Sequence, residues 1–163
     1  MKRIATSIAS GILLLGAAIA AVAAVGHLPA DVRAALEQTK DFQSFSSVSA
    51  VPESVRDAFA RAVRDSEFAM AEPGAKWQVT DVILEGGLPW RRLQAGAVSS
   101  DFLVIFYEHG GIAHSYHVCV FRMKVGSAQL VWRAARPKNV VSLDALKSAI
   151  RAGAADDDPR YMF

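Results

Sequence analysis

The segment Asp101–Glu108, DFLVIFYE, constrains the fold more than any other part of the chain. Its six central residues are all apolar or aromatic. Successive side chains of a β-strand point to opposite faces of the sheet. A strand that is hydrophobic on both faces has to be covered on both. The segment therefore predicts a central strand with protein layers on either side.

Other segments with an apolar period of two predict the rest of a sheet. These segments are Trp77–Leu84, Pro89–Gly96, Ala113–Lys124 and Ser127–Ala134, and with 101–108 they make five predicted strands. The connections between them are short and carry turn residues such as Gly86-Gly87. Short connections join antiparallel neighbours, whereas parallel strands need long crossovers. We expect an antiparallel meander of about five strands.

Helical spacing appears before and after these strands. Pro29–Gln38, Val51–Ser66 and Ser142–Gly153 each repeat apolar residues at helical intervals. Ser142 is a predicted N-cap, since its hydroxyl can accept a hydrogen bond from a free N–H of the first turn. The serine-rich segment Thr39–Ala50 is predicted to be a linker. The predicted fold class is α+β, with a helix before the meander and a C-terminal helix packed on it.

Residues 1–26 have the layout of an export signal or a membrane anchor. Lys2 and Arg3 precede an apolar centre, and Ala21-Val22-Ala23 is a cleavage candidate of the small-x-small type. The uncharged run Ile4–Val25 also has the roughly 20 residues that a helix needs to span a bilayer. A cleaved signal would release the domain into the periplasm, and a retained anchor would hold it on the periplasmic side of the inner membrane. The predicted division of the chain is residues 1–26, a short helix and linker over 27–50, a globular domain over 51–153, and a tail over 154–163.

The charge of the chain argues against a nucleic-acid partner. Removing the first 23 residues lowers the count of Lys and Arg from 18 to 16, against 16 Asp and Glu. A formally neutral domain lacks the positive surface that binds phosphate backbones. The basic clusters Trp90–Arg92 and Arg133–Lys138 are short, and we interpret them first as solvated faces.

The stretch Tyr107–Cys119, YEHGGIAHSYHVC, holds three of the four histidines and the single cysteine. A two-residue turn at Gly110 and Gly111 would place Tyr107 opposite His114, and Val104 opposite His117. His117 and Cys119 then share a face and could supply two ligands to zinc or copper, with His109 as a third. A wider turn would instead bring Glu108, His109 and His114 together.

Two other readings of this stretch remain open. Cys119 and His117 could form a nucleophile and its base. Alternatively, the stretch is an ordinary hairpin in which the glycines build the turn and Cys119 is an inert buried thiol. No serine nucleophile elbow, phosphate-binding glycine loop, dinucleotide fingerprint or zinc-protease motif occurs in the sequence.

Trp90, Arg91 and Arg92 form a candidate interaction patch, because tryptophan and arginine are the commonest anchors of protein interfaces.

We therefore expect an exported, non-enzymatic domain that needs no cofactor and binds a protein partner in the cell envelope. Its N-terminal segment would contact the membrane. One alternative is a metal-binding or small hydrolytic protein that uses His117, Cys119 and His109. Another is a homo-oligomer that associates through a sheet edge.

Overall fold

The computed structural model describes residues 28–83 and 86–153. The predicted signal or anchor in residues 1–26 and the predicted tail in residues 154–163 lie outside the described residues. In the described ranges, no helix combines the length and the apolar character that crossing a bilayer requires.

The centre of the fold is a five-stranded antiparallel sheet, which confirms the predicted fold class. Its strands lie side by side in chain order: β1 Gln43–Phe45, β2 Arg91–Val98, β3 Phe102–His109, β4 Ser115–Lys124 and β5 Ser127–Ala135. Every residue of β3 except His109 is buried. The prediction of a central strand covered on both faces is therefore confirmed.

Within the described ranges, three helices cover the sheet: α1 Ala30–Gln38, α2 Glu53–Val63 and α3 Leu143–Arg151. Helices α1 and α3 share one core cluster with the face of β3 that carries Val104 and Phe106. Helix α2 shares the other cluster with the opposite face, which carries Leu103 and Ile105. The helices are those that the apolar spacing predicts, and the hydroxyl of Ser142 accepts the N–H of Ala145 at 3.2 Å, as expected of an N-cap.

Two strand assignments differ from the sequence-based prediction. In the described part of the segment predicted as a strand, residues 77–83, only one isolated bridge forms, between Thr80 and Gly111. The fifth strand, β1, comes instead from the predicted serine-rich linker, and a 3₁₀ turn, Val48–Ala50, follows it. Phe45 of β1 lies opposite Gly96 of β2, and its ring covers the glycine. That contact fastens a three-residue strand with little apolar character of its own to the sheet edge.

The sheet has two ends with different contents. The lower end carries the β2–β3 and β4–β5 turns, and the upper end carries the loop between β3 and β4 and the start of β2. Helix α1 begins near the lower end, where Asp31 forms an ion pair with Arg122. The eight residues of β3 separate the two ends by about 26 Å. The start of α1 and the β3–β4 loop therefore lie at opposite ends of the sheet.

Candidate functional site

The β3–β4 hairpin has a wider turn than the glycine pair suggests. Tyr107 pairs with His117, and His109 pairs with Ser115, so five residues, 110–114, form the loop. The predicted two-residue turn at Gly110 and Gly111 is therefore wrong, and so are the pairings that it implied for His114 and Val104.

The two glycines contact a neighbouring loop. The N–H of Gly110 donates to the carbonyl of Trp90 at 2.9 Å, and that of Gly111 donates to the carbonyl of Val79 at 3.1 Å. A tight approach between two backbones excludes side chains, which glycine permits. The glycine pair thus fixes the hairpin against residues 78–90.

On the face that packs against α2, the hairpin gathers the residues predicted as metal ligands. The rings of His109 and His117 lie edge to face with centroids 6.1 Å apart. Cys119 follows His117 on the same face of β4. The Nε2 atom of His117 is hydrogen-bonded to the hydroxyl of Ser115 at 2.7 Å, and its ring stacks on Tyr107 at 5.1 Å. His117 is thus held by neighbours on two sides.

The protonation states on this face do not favour nucleophilic chemistry. Burial raises the pKa of the Cys119 thiol to about 12. Burial, reinforced by His109 and then by Arg136, lowers the pKa of His117 to about 4. Near neutral pH the thiol is protonated and the imidazole is neutral, whereas a reactive cysteine needs a thiolate. Within residues 28–83 and 86–153, no three His, Cys, Asp or Glu side chains come close enough together to hold a metal ion.

On the opposite face, the buried carboxylate of Glu108 contacts both Arg92 and His114. Arg92 donates from Nε and Nη2 to Oε1 at 3.0 and 2.8 Å, and His114 Nε2 lies 2.8 Å from Oε2. The predicted trio of Glu108, His109 and His114 is therefore only partly assembled, because His109 belongs to the other face of β3. Arg92 also lies over the ring of Trp77, 5.1 Å from its centroid. This cluster ties the hairpin loop to β2 and Trp77.

Arg136 is a residue whose place the sequence did not indicate. Its Nε donates to the carbonyl of His117 at 2.9 Å, and its guanidinium lies over the rings of Phe106 and Tyr116. Burial lowers its pKa to about 10. The interpretation of Arg133–Lys138 as a solvated face is wrong at this position, because Arg136 is buried.

An open groove of about 830 Å³ lies at the upper end, and we call it the Trp90 groove. It is lined by Asp65, Ser66, Glu67, Phe68, Ala69, Met70, Gly87, Leu88, Pro89, Trp90, Arg91 and His109. Trp90 is 37% exposed, whereas Arg91 is only 7% exposed and forms an ion pair with Asp65. The guanidinium of Arg91 also lies over Phe59 of α2, 5.7 Å from the ring centroid. Arg91 is therefore fixed to the protein interior.

The predicted patch of Trp90, Arg91 and Arg92 is divided by the strand. Trp90 and Arg91 line the Trp90 groove, but Arg92 is turned to the other face and bound to Glu108. Sequence reasoning missed Asp65, Phe68 and Met70, which enter the groove from the segment after α2. No motif marks them, since only the position of α2 on the sheet brings them to Trp90.

A second groove, of about 840 Å³, runs along α2 and shares the segment 65–68 with the first; we call it the α2 groove. It is lined by Ser49, Val51, Pro52, Glu53, Arg56, Asp57, Ala60, Arg61, Asp65, Ser66, Glu67 and Phe68. Arg56 is held within it, because its guanidinium donates to the carbonyls of Val51 and Val48. The two grooves thus lie on either side of one acidic segment.

No protein-family model, curated protein or solved structure matches this chain.

Proposed function

We propose that this protein is an exported, non-enzymatic binding domain that holds a protein partner of the cell envelope in the Trp90 groove. The observation that carries the proposal is the exposed indole of Trp90 at an open groove whose buried Arg91 is fixed by Asp65. Tryptophan is among the residue types that most often dominate the binding free energy of protein interfaces. A groove that is already formed before the partner arrives also loses less conformational entropy on binding.

The size of the Trp90 groove supports recognition of a short segment of a partner. Its volume of about 830 Å³ lies within the range of roughly 300–1,000 Å³ that is usual for ligand sites. Phe68, Met70 and Leu88 supply apolar surface beside the indole. The groove can therefore accept one or two side chains of an extended polypeptide.

The chemistry of the hairpin supports binding more than catalysis. Cys119 and His117 lie in the protein interior, and each has its pKa moved away from the reactive state. The hydroxyl of Ser115 is hydrogen-bonded to the imidazole of His117. The titratable and charged groups that lower the pKa of His117 are His109 and three arginines. Among the described residues, no carboxylate orients His117 as the third member of a catalytic triad would.

Export is the second part of the proposal, and residues 1–26 motivate it. Helix α1 begins at the lower end of the sheet, and the Trp90 groove lies at the upper end. If residues 1–26 anchor the chain, the Trp90 groove would therefore lie at the end of the sheet that is farther from the anchor. A protease added to cells with a permeabilised outer membrane and an intact inner membrane should degrade the domain. Protection until the inner membrane is lysed would contradict export.

Site-specific photo-crosslinking in living cells tests the binding role. A photoreactive amino acid replaces Leu88, a half-buried residue that lines the Trp90 groove and leaves Trp90 itself in place, in one strain, and Val125, a fully exposed residue in the lower-end turn, in a matched control. We expect a discrete adduct with one envelope protein from position 88 and none from position 125. Equal adducts from both positions, or none from position 88, would contradict the proposal.

A second candidate function is self-association through β5. This strand is nine residues long, ends the strand order of the sheet and contains a single charge, Arg133. Long edge strands with few charges can pair with another chain. Sedimentation over a concentration series distinguishes the two roles, because a domain that stays monomeric throughout contradicts edge pairing and leaves the Trp90 groove as the binding surface.

A further inference from the structure

We infer that the Trp90 groove selects a cationic side chain, a lysine or an arginine, on the partner polypeptide, and that this cation sits between the ring of Trp90 and the carboxylate of Glu67. The inference rests on the proposed function, because it names the chemistry that the Trp90 groove would recognise. Its basis is the set of charged side chains that line the Trp90 groove, together with the contacts that these side chains already make within the protein.

The Trp90 groove has a net negative charge. Asp65 and Glu67 face one arginine, Arg91, which leaves a formal charge of minus one. His109 adds no positive charge near neutral pH, because burial and then Arg91 lower its pKa. A groove of this sign attracts cations and disfavours anions.

Arg91 is not free to attract an anion. Its Nη1 atom binds Asp65, its guanidinium lies over Phe59, and the residue is only 7% exposed. Glu67 differs, because its side chain is exposed and makes no hydrogen bond or ion pair within the parts of the chain that the structure describes. The charge that a partner meets in the Trp90 groove is therefore negative.

The indole of Trp90 can provide the second half of the site. No cation or ring among the described residues lies over it. An aromatic ring can attract a cation through the negative potential of its face, and tryptophan does so most strongly. Glu67 and Trp90 both line this groove, Glu67 from the segment after α2 and Trp90 from the residue that precedes β2.

The protein already contains this arrangement once, within its own fold. Arg92 lies over the ring of Trp77 while its guanidinium is paired with Glu108. One cation thus contacts a tryptophan and a glutamate together. In the Trp90 groove a tryptophan and a glutamate are both accessible, and the cation would come from the partner.

Fluorine NMR of the full chain labelled with fluorotryptophan tests the selection directly. The sequence has three tryptophans, and the resonance of Trp90 is the one lost in Trp90→Phe. The probes are N-acetyl-lysine methylamide, its uncharged isostere N-acetyl-norleucine methylamide, and N-acetyl-glutamate methylamide. We expect a saturable shift of the Trp90 resonance with the lysine probe alone, while the resonances of Trp77 and Trp132 stay unchanged.

The charge of Glu67 is tested by Glu67→Gln in the same titration. We expect a roughly threefold loss of affinity for the lysine probe, the size of one exposed ionic contact. Glu37→Gln is the matched control, because Glu37 is an exposed residue of α1 away from both grooves and should leave the affinity unchanged. An equal response to the norleucine probe, a preference for the glutamate probe, or an unchanged affinity in Glu67→Gln would overturn the inference.

Charge-reversal variants at the same two positions separate this inference from the proposed function. If photo-crosslinks form at position 88 and persist at full yield in Glu67→Lys, the Trp90 groove binds a partner without selecting a cation, and only the inference fails. If no crosslink forms at position 88 in any background, the proposed function itself fails. Loss of the crosslink in Glu67→Lys but not in Glu37→Lys supports both.

Discussion

Gly110 lies so close to Gln78 that a Cβ atom built on the glycine would be 1.9 Å from the backbone carbonyl oxygen of Gln78. The obstructing atom belongs to the backbone, so no side-chain rotation can relieve the clash. We expect Gly110→Ala to lower the free energy of unfolding by about 2 kcal/mol, because the hairpin loop has to separate from residues 78–80. Urea denaturation measures the change. Gly86→Ala is the matched control, since a Cβ there meets no atom within 4 Å; an equal effect of both variants would contradict the contact.

Glu108 is the buried carboxylate that joins Arg92 to His114. In Glu108→Gln the amide keeps the shape of the side chain but removes the negative charge that pairs with the guanidinium. We expect the free energy of unfolding to fall by roughly 2 kcal/mol, since removing one partner of a buried ion pair leaves the other poorly solvated. Thermal and urea unfolding report the change. Glu37→Gln removes the same charge at an exposed position and should change stability by less than about 0.5 kcal/mol.

His117 predicts a pH dependence of stability with a definite sign. Its pKa is about 4 in the folded protein and 6.5 in the reference state, so the unfolded chain binds the proton more tightly. Stability is therefore unaffected by this group above pH 6.5 and falls as the pH drops from 6.5 towards 4. The shift corresponds to about 3 kcal/mol in total. Unfolding measured across this range should show a flatter profile in His117→Gln than in the wild type, and identical profiles would contradict the assignment.

The thiol of Cys119 should be unreactive in the folded protein. The side chain is buried, and burial raises its pKa to about 12, so almost no thiolate exists at pH 8. Alkylation by iodoacetamide should be slow in the native protein and fast in urea, where the thiol regains its ordinary pKa. Mass spectrometry of timed samples measures both rates. Rapid modification of the native protein, without unfolding, would show that Cys119 is accessible and reactive.

The sequence predicts the regular elements well where burial repeats. Helix α3 follows its apolar spacing and its Ser142 cap, and β3 is central because it is apolar on both faces. Strand β1 escaped prediction, because three residues carry no periodic pattern and the contact of Phe45 with Gly96 joins positions distant in sequence. The strand predicted from Trp77 does not form, for the opposite reason. Apolar and polar residues do alternate along this segment, but Val79 and Ile83 are exposed instead of paired in the sheet.

The candidate site is less predictable from sequence than the fold. The Gly110-Gly111 pair resembles a tight turn, although Gly110 is required for contact with Gln78. The two neighbouring arginines also look alike, yet alternation along β2 binds Arg91 to Asp65 and Arg92 to Glu108. Such contacts depend on tertiary placement, so the net charge of the Trp90 groove could only be found in the folded chain.

The most direct test of the binding role is the affinity of the crosslinked partner for purified protein variants. Once photo-crosslinking at position 88 has identified that partner, isothermal titration calorimetry compares the wild type with Trp90→Ala and Val125→Ala. We expect at least a tenfold loss of affinity in Trp90→Ala, equivalent to about 1.4 kcal/mol, and no change in Val125→Ala. Equal affinity of the wild type and Trp90→Ala would show that the Trp90 groove is not the binding surface.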